Sequence, residues 1–491
     1  MQHIIKKQLI ELGLSSRDDI YALQQQTSQY YYSHILPALE KIFDGLSGEN
    51  EVLQIDRVEI NLGAIQWEPA KEIRIENLYN LLNKEIESQL RTSNGAEYQQ
   101  QKDAGSAQVK KIPIALNAGE QWIYYMQKGV LPWNVPAISN EWKTQVLEAL
   151  ATDFSLVSGL REIIMQDNKA LTRIIGDHDE PFLVKLVEIL TAQEQRSLAP
   201  AIRELRLVFD VLYQNKMPGK IKESNTEKPA KIWTGILQLA ASKAEKPDTL
   251  QLAQQLLQDA VNKQQPTTTQ LDSIKKELRL LETVVAEITK KIKPEKTALT
   301  VPGNTNTASE TELPVFTSVA GAFPEEGLFV QNAGLVLLHP FLRFLFKNTG
   351  LIEAGLFISR EKQEKAIMLM HWLATGNTEA EEWLLAVPKI LCSWPLDEPL
   401  EFDFSLTEQE KTEANDLLIA TIAQWTILKN TSPDGLRKGF LQRNGKVVLQ
   451  NENIYFQVEK SAIDILLDHL PWNLSIIKLP WVKNLLRVEW R

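Results

Sequence analysis

Cysteine is almost absent. Cys392 stands alone in 491 residues, so no intramolecular disulfide can form, which fits a reducing cytoplasm. A lone Cys reads as a small buried hydrophobe; a catalytic thiol needs a base beside it, and the sequence places none. Long apolar runs are missing too. No stretch approaches the ~20 apolar residues of a transmembrane helix, which predicts no stable membrane insertion. The opening MQHIIKKQLIELGL lacks an apolar run followed by a small-residue cleavage site, so it does not read as a signal peptide, and a soluble cytoplasmic chain is expected. Excess positive charge is also lacking. The formal net charge is -10, the acidic residues are spread without a tail, and Lys110–Lys111 is too short a run to grip phosphates, so no nucleic-acid partner is predicted.

The usual signatures of chemistry are missing as well. There is no GxxxxGK[ST] loop to cradle phosphates, no GxGxxG opening a helix after a strand, no GxSxG elbow and no HExxH pair. The six histidines, His3, His34, His178, His339, His371 and His469, show no metal-ligand spacing. His339 and His371 fall in apolar helical segments, where a hydrogen-bonded core histidine is the plain reading. Glu325–Glu326 and Glu381–Glu382 read as solvated faces. Asp56 and Glu59 flank an irregular strand, and a catalytic or partner-binding Asp56 is the sharper alternative to a solvated one. The sequence therefore assigns no catalytic, cofactor-binding or metal residue, predicts no cofactor, and points away from an enzyme.

What is present is a globular composition, 44% hydrophobic with twelve Trp, more aromatic payload than a uniform rod needs. Residues 1–91 read as a small α+β domain. It has a helix over 17–43 that Pro37 is expected to kink, a strand over 52–63, and a helix over 76–91 striped by Ile75, Leu78, Tyr79, Leu82, Ile86 and Leu90. The strand changes phase, with Leu53 and Ile55 on one face and Val58, Ile60 and Leu62 on the other, which predicts a bulge at Asp56–Arg57. Residues 92–111 form a polar linker, 112–213 a helical domain, and 214–231 a second linker. Residues 232–293 are helical. Within them Leu271, Ile274, Leu278, Leu281, Val284, Val285 and Ile288 recur at three- and four-residue steps, which fits a coiled coil of about three heptads or an ordinary bundle helix. The first would leave a dimer, trimer or ring open. Residues 294–325, rich in Pro, Thr, Gly and Asn, read as a disordered linker.

Residues 326–491 then form a C-terminal α+β domain with a β-hairpin. Helices are expected around Val336–Leu345, with Pro340 interrupting, and over 366–373 and 414–428. Asn444–Gly445 between extended runs signals the hairpin turn, because both positions favour positive φ. IYFQVE (454–459) is a further strand, Ser461 with Asp464 can cap a short helix, and LSIIKLP and LLRVEW end the chain in extended pieces. The fold class is mainly α with α+β terminal domains, multi-domain, linker-connected, with a helical middle.

Several segments together resemble the contractile injection system tape measure family. They are HIIKKQLIEL with IDRVEINLG, YYMQKGVLPW (124–133), VQNAGLVLLHPFLRFLF (330–346), TSPDGLRKGFLQRNG (431–445) and LPWNLSIIKLPW (470–481). The resemblance implies a structural role in a phage-tail-like particle: lying in the growing inner tube, tied to the baseplate or spike, and stopping polymerisation at a set length. The implied partners are inner tube, baseplate or spike proteins, and the alternatives are an assembly chaperone or adaptor for those subunits and, behind it, an enzyme or effector carried in the tube. No catalytic residue comes with it. Gly129 before Pro132, Asn444–Gly445, Trp133, Trp472 and Trp481 carry the motifs, either as core packing or as docking surfaces. A fully helical chain would span roughly 740 Å, and residues 92–325 roughly 350 Å.

Overall fold

The computed structural model describes residues 3–13, 20–46, 48, 50–62, 77–94, 109–135, 138–213, 227–242, 247–264, 266, 268–291, 323–324, 326–400 and 405–490. Most of the three expected linkers, and Ile75, lie outside the described residues. The chain divides into two compact units, residues 1–120 with 139–149, and residues 121–138 with 150–491.

In the first unit, α1 (Ile20–Tyr30) and α2 (Leu36–Asp44) form one helical run joined by a π-helical turn, Tyr31–Ile35. Pro37 has no N–H to donate and its ring crowds the carbonyl four residues back; the widened turn just before it absorbs that conflict. Strand β1 (Glu51–Ile55) pairs antiparallel with β2 (Val109–Pro113), setting Leu53 opposite Lys111. Lys110 and Lys111 thus belong to a strand, not to a linker. The expected strand over 52–63 stops at Ile55, so the phase change marks a strand end and not a bulge. Past that end, Val58, Ile60 and Leu62 turn onto a small core of Leu39 and Ile42 from α2 with Leu82 and Ile86 from α3 (Leu78–Asn94).

Helices α4 (Ile114–Lys128) and α5 (Asn140–Thr152) each run from one unit into the other. The second unit then continues with α6 (Phe154–Gln166), α7 (Asn168–Gly176), α8 (Glu180–Thr191), α9 (Leu198–Tyr213), α10 (Glu227–Ser242), α11 (Thr249–Gln264), α12 (Thr268–Ile274) and α13 (Glu282–Lys291). Asp153, Asp167 and Asp179 cap α6, α7 and α8 by accepting the backbone N–H of Leu156, Ala170 and Phe182. Arg161 donates to the carbonyls of Ala240 and Ala241 at the end of α10, at 3.1 and 2.8 Å. It satisfies acceptors that a helix C-terminus leaves open.

The segment that allowed a coiled coil is two short helices separated by a break. Leu278 takes an extended conformation, and the Glu204 carboxylate from α9 accepts the N–H groups of Arg279, Leu280 and Leu281 at 2.8–3.1 Å. All seven residues of the stripe are buried inside the unit. In this structure the stripe packs as part of a helical bundle.

From residue 326 the chain builds a mixed five-stranded sheet and its covering helices. The sheet contains β3 (Leu328–Val330), β6 (Gly445–Gln450), β7 (Asn453–Val458), β8 (Ile476–Ile477) and β9 (Leu485–Glu489), in the order β3-β6-β7-β9-β8, with β7 and β9 parallel. Between β3 and β6 lie α14 (His339–Asn348), the ribbon of β4 (Ile352–Glu353) and β5 (Leu356–Phe357), α15 (Arg360–Thr375), α16 (Ala386–Leu391) and α17 (Glu408–Gln424). Pro340 does not interrupt a helix; it sits in the first turn of α14, after a 3-10 turn over Ala333–Leu338. One core joins sheet and helices, with Phe346, Trp394, Trp425 and Phe456 fully buried.

The hairpin exists, but its turn is not at Asn444–Gly445. Residues Arg437–Leu441 form a π-helical turn, and β6 begins at Gly445. The hairpin closes at Asn451 (φ 48°) and Glu452 (φ 63°), and Asn484 Nδ2 holds the Glu452 carbonyl at 2.8 Å. Gly445 is required for another reason: a Cβ there would lie 2.7 Å from Ala333 Cβ and 2.8 Å from the Gln457 carbonyl oxygen.

Candidate functional site

Within the second unit, α6 to α13 pack on one another, as do the elements from β3 onward, and among the described residues no element of one group packs broadly against one of the other. What fastens them is a buried polar cluster. Gly129 ends α4 in the left-handed region (φ 72°), a conformation that costs an L-residue about 1–2 kcal/mol. A Cβ at Gly129 would meet the Leu396 carbonyl at 2.7 Å and an Arg173 guanidinium nitrogen at 2.8 Å. The missing side chain is what lets α4, α7 and the 396–398 loop converge.

Arg173, on α7, is buried. It donates to Glu382 Oε1 (3.1 Å), to the Asp397 carbonyl (2.9 Å) and to the Met126 carbonyl. Lys389, on α16 and 1% exposed, reaches the same Glu382 oxygen at 2.6 Å and the Glu398 carbonyl at 2.8 Å. One carboxylate therefore serves two buried cations. Burial pushes the Lys389 ammonium below its ordinary range, and Glu382 opposes that.

Beside this pair lies Asp177. It accepts the hydroxyl of Tyr125 on α4 and, at 3.0 Å, the backbone N–H of Glu382, while Tyr125 Oη accepts the Trp383 N–H at 3.2 Å. Burial first, and the nearby Glu382 carboxylate second, push the Asp177 carboxyl up to about 7. Burial likewise raises the Tyr125 phenol well above its usual range. At the rim, Lys169 pairs with the half-exposed Asp397 at 2.7 Å.

Most residues singled out in the sequence take other places. Glu382, expected on a solvated face, is buried at the centre of this cluster; an isolated buried carboxylate is costly, and two cations compensate it. Its neighbour Glu381 accepts the Trp383 indole N–H at 2.7 Å. His371 is 1% exposed, lies 3.2 Å from the Glu379 carbonyl, and is held below its ordinary pKa by burial, as is His339. His178 is bracketed by the Ile174 carbonyl and the Trp122 indole N–H at 3.0 and 3.1 Å. Cys392 is fully buried, and burial raises its thiol pKa, the opposite of what a nucleophile needs. Trp481 is buried with Nε1 on the Leu391 carbonyl at 2.8 Å; Trp472 is half-buried, bonded to the Leu337 carbonyl at 3.1 Å and edge-on to Phe341. Asp56 is exposed, and beside it Arg57 pairs with Glu59 at the surface.

Among the described residues, no group of three His, Cys, Asp or Glu is placed to hold a metal ion, and no helix is long and apolar enough to cross a membrane. A shallow depression of about 260 Å³ lies against Lys460, Ser461, Asp464, Ile465, Asp468 and Trp490. Asp464 there is committed to Arg443 at 2.9 Å and to the Ser461 backbone N–H at 2.7 Å. The geometry is that of a fastening between folded parts.

Comparison with curated proteins and with solved structures returns no match. The family model described as contractile injection system tape measure protein matches residues 2–490, nearly the whole chain. The helical, small-sheeted architecture and the end-to-end match agree, and the chain belongs to the contractile injection system tape measure protein family.

Proposed function

We propose that this protein sets inner-tube length by spanning the growing tube with its middle region, residues 92–325, while its ends dock on tube and baseplate or spike proteins in the bacterial cytoplasm. It acts without catalysis. The observation that carries the reading is the family match across residues 2–490. The helices support it only if they open. The longest of α6 to α13 have 16 residues, about 24 Å each, and fold back on one another. A compact block cannot reach the roughly 350 Å available to a helical middle region.

Deleting residues 268–292 would remove the buried stripe of α12 and α13 and confuse unfolding with shortening. Deleting residues 296–320, outside the described residues, is the cleaner test. Electron microscopy should show tubes shortened in whole-ring steps, by roughly 40 Å if the segment is spanned as helix and 90 Å if extended. Normal particles of unchanged length would contradict a ruler that includes this segment. The folded state of α6 to α13 favours one second reading, an assembly chaperone or adaptor that leaves before maturation. Finding the chain in purified mature particles would rule that out.

A further inference from the structure

The fastening between the helical block and the C-terminal region is narrow and polar. It consists of Tyr125 from α4, Arg173 and Asp177 from α7 and the turn after it, Glu382 and the Trp383 N–H from the 3-10 turn Glu382–Leu385, and Lys389 from α16. The apolar part of the junction is small: Val130 joins the C-terminal core, and Tyr124 packs against it. A polar junction of this kind differs from an apolar one in a specific way. Breaking a buried charge arrangement exposes groups that water solvates well, so the open state is not penalised as an exposed apolar face would be.

We propose that the Tyr125–Asp177–Arg173–Glu382–Lys389 cluster is a releasable catch, and that ionisation of Asp177 opens the helical block away from the C-terminal region. Asp177 is the element that switches. Arg173 and Lys389 are already engaged by Glu382, so a negative charge on Asp177 sits in the protein interior beside a second carboxylate. Its compensation is the Tyr125 hydroxyl, the Glu382 N–H and a distant share of Arg173. His178, the next residue, faces Trp122 and the Ile174 carbonyl, and the Lys169–Asp397 pair faces the rim.

The sign follows from linkage. The closed state holds the Asp177 proton up to about pH 7, whereas the open state, in water, releases it near the ordinary value of 3.8. The catch is therefore tightest at acidic pH, weakens progressively above the ordinary value, and has lost this contribution once pH passes 7. Between pH 6 and pH 8 the open-to-closed ratio should rise about tenfold. This inference rests on the length-setting reading for its purpose, but its test uses the isolated full-length chain, so each can fail without the other.

The experiment is pulsed electron-electron spin resonance on the full-length protein with spin labels at Phe154→Cys and Ile465→Cys. Both positions are well exposed, at 86% and 70%, and the native Cys392 is buried. At pH 6 a single distance is expected; at pH 8 a longer component should grow about tenfold relative to it. Asp177→Asn, which keeps shape without ionising, should hold the short distance at both. Tyr125→Phe removes a donor that favours the ionised carboxylate in the closed state, so the longer component should grow more between pH 6 and pH 8 than in the wild type. Identical wild-type distributions at pH 6 and 8 would overturn the proposal. So would an unchanged pH response in Asp177→Asn, which would assign the effect to His178 or another group. Should Asp177→Asn fail to fold, a pH 6 to pH 8 response left unchanged by Tyr125→Phe overturns it equally.

Discussion

The first unit and the C-terminal region of the second bury apolar surface very differently. In the first, Leu39, Ile42, Leu82 and Ile86 form a small buried cluster, while Ile4, Ile5, Leu9, Ile10, Leu12, Ile20, Tyr21 and Tyr32 remain exposed. In the second, residues from β3 to β9 share one extended core in which Trp394, Trp425, Phe346 and Phe456 are fully buried. Small cores stabilise weakly, because the fraction of surface buried on folding rises with domain size. The contrast predicts that the first unit is the less stable of the two. Two thermal transitions are expected, with the first unit melting first.

Mutations can break that comparison. The largest effect is expected from Trp425→Ala. It empties a fully buried site beside Phe440 and removes the indole bond to the Leu466 carbonyl, costing about 3–5 kcal/mol. Differential scanning calorimetry should show the upper transition falling and the lower one unmoved. Ile86→Ala should cost about 2–5 kcal/mol, and in a marginal unit that is enough to erase the lower transition. If both mutations shift one shared transition, the units are not independent and the comparison fails. The smallest effect, about 1–2 kcal/mol, is expected from Glu204→Gln. The amide offers one acceptor where the carboxylate offers two to the N–H groups entering α13. Hydrogen exchange at Arg279, Leu280 and Leu281 would report it locally.

The sequence makes the helices legible because their apolar stripes repeat at helical spacing, and Ser461 with Asp464 forms the capping box its spacing suggests. Positions decided by distant parts of the fold are another matter. Asn444–Gly445 carries the local signal of a hairpin turn, yet Ala333 and Gln457 press on Gly445, so the glycine answers a steric demand from elsewhere. The true turn, Asn451–Glu452, has a glutamate where glycine is usual and is held by Asn484. Lys110 and Lys111 looked like linker because β2 meets its partner some sixty residues away. The polar cluster was hidden for the same reason. Glu381–Glu382 beside Trp383 reads as surface until Arg173, more than two hundred residues earlier, is brought against it. Gly129 was the one available signal. It stands before Pro132 in one of the family-like motifs, and its lack of a side chain at a left-handed φ is what leaves room for Arg173.

The central claim is that the middle of this chain measures the tube. Electron microscopy of particles assembled with residues 150–291 duplicated in tandem tests it most directly, because each copy keeps its own core. If the block opens and is spanned as helix, tubes should be uniformly longer by roughly 210 Å. Tubes of the original length, with the duplicated chain incorporated, would contradict the account.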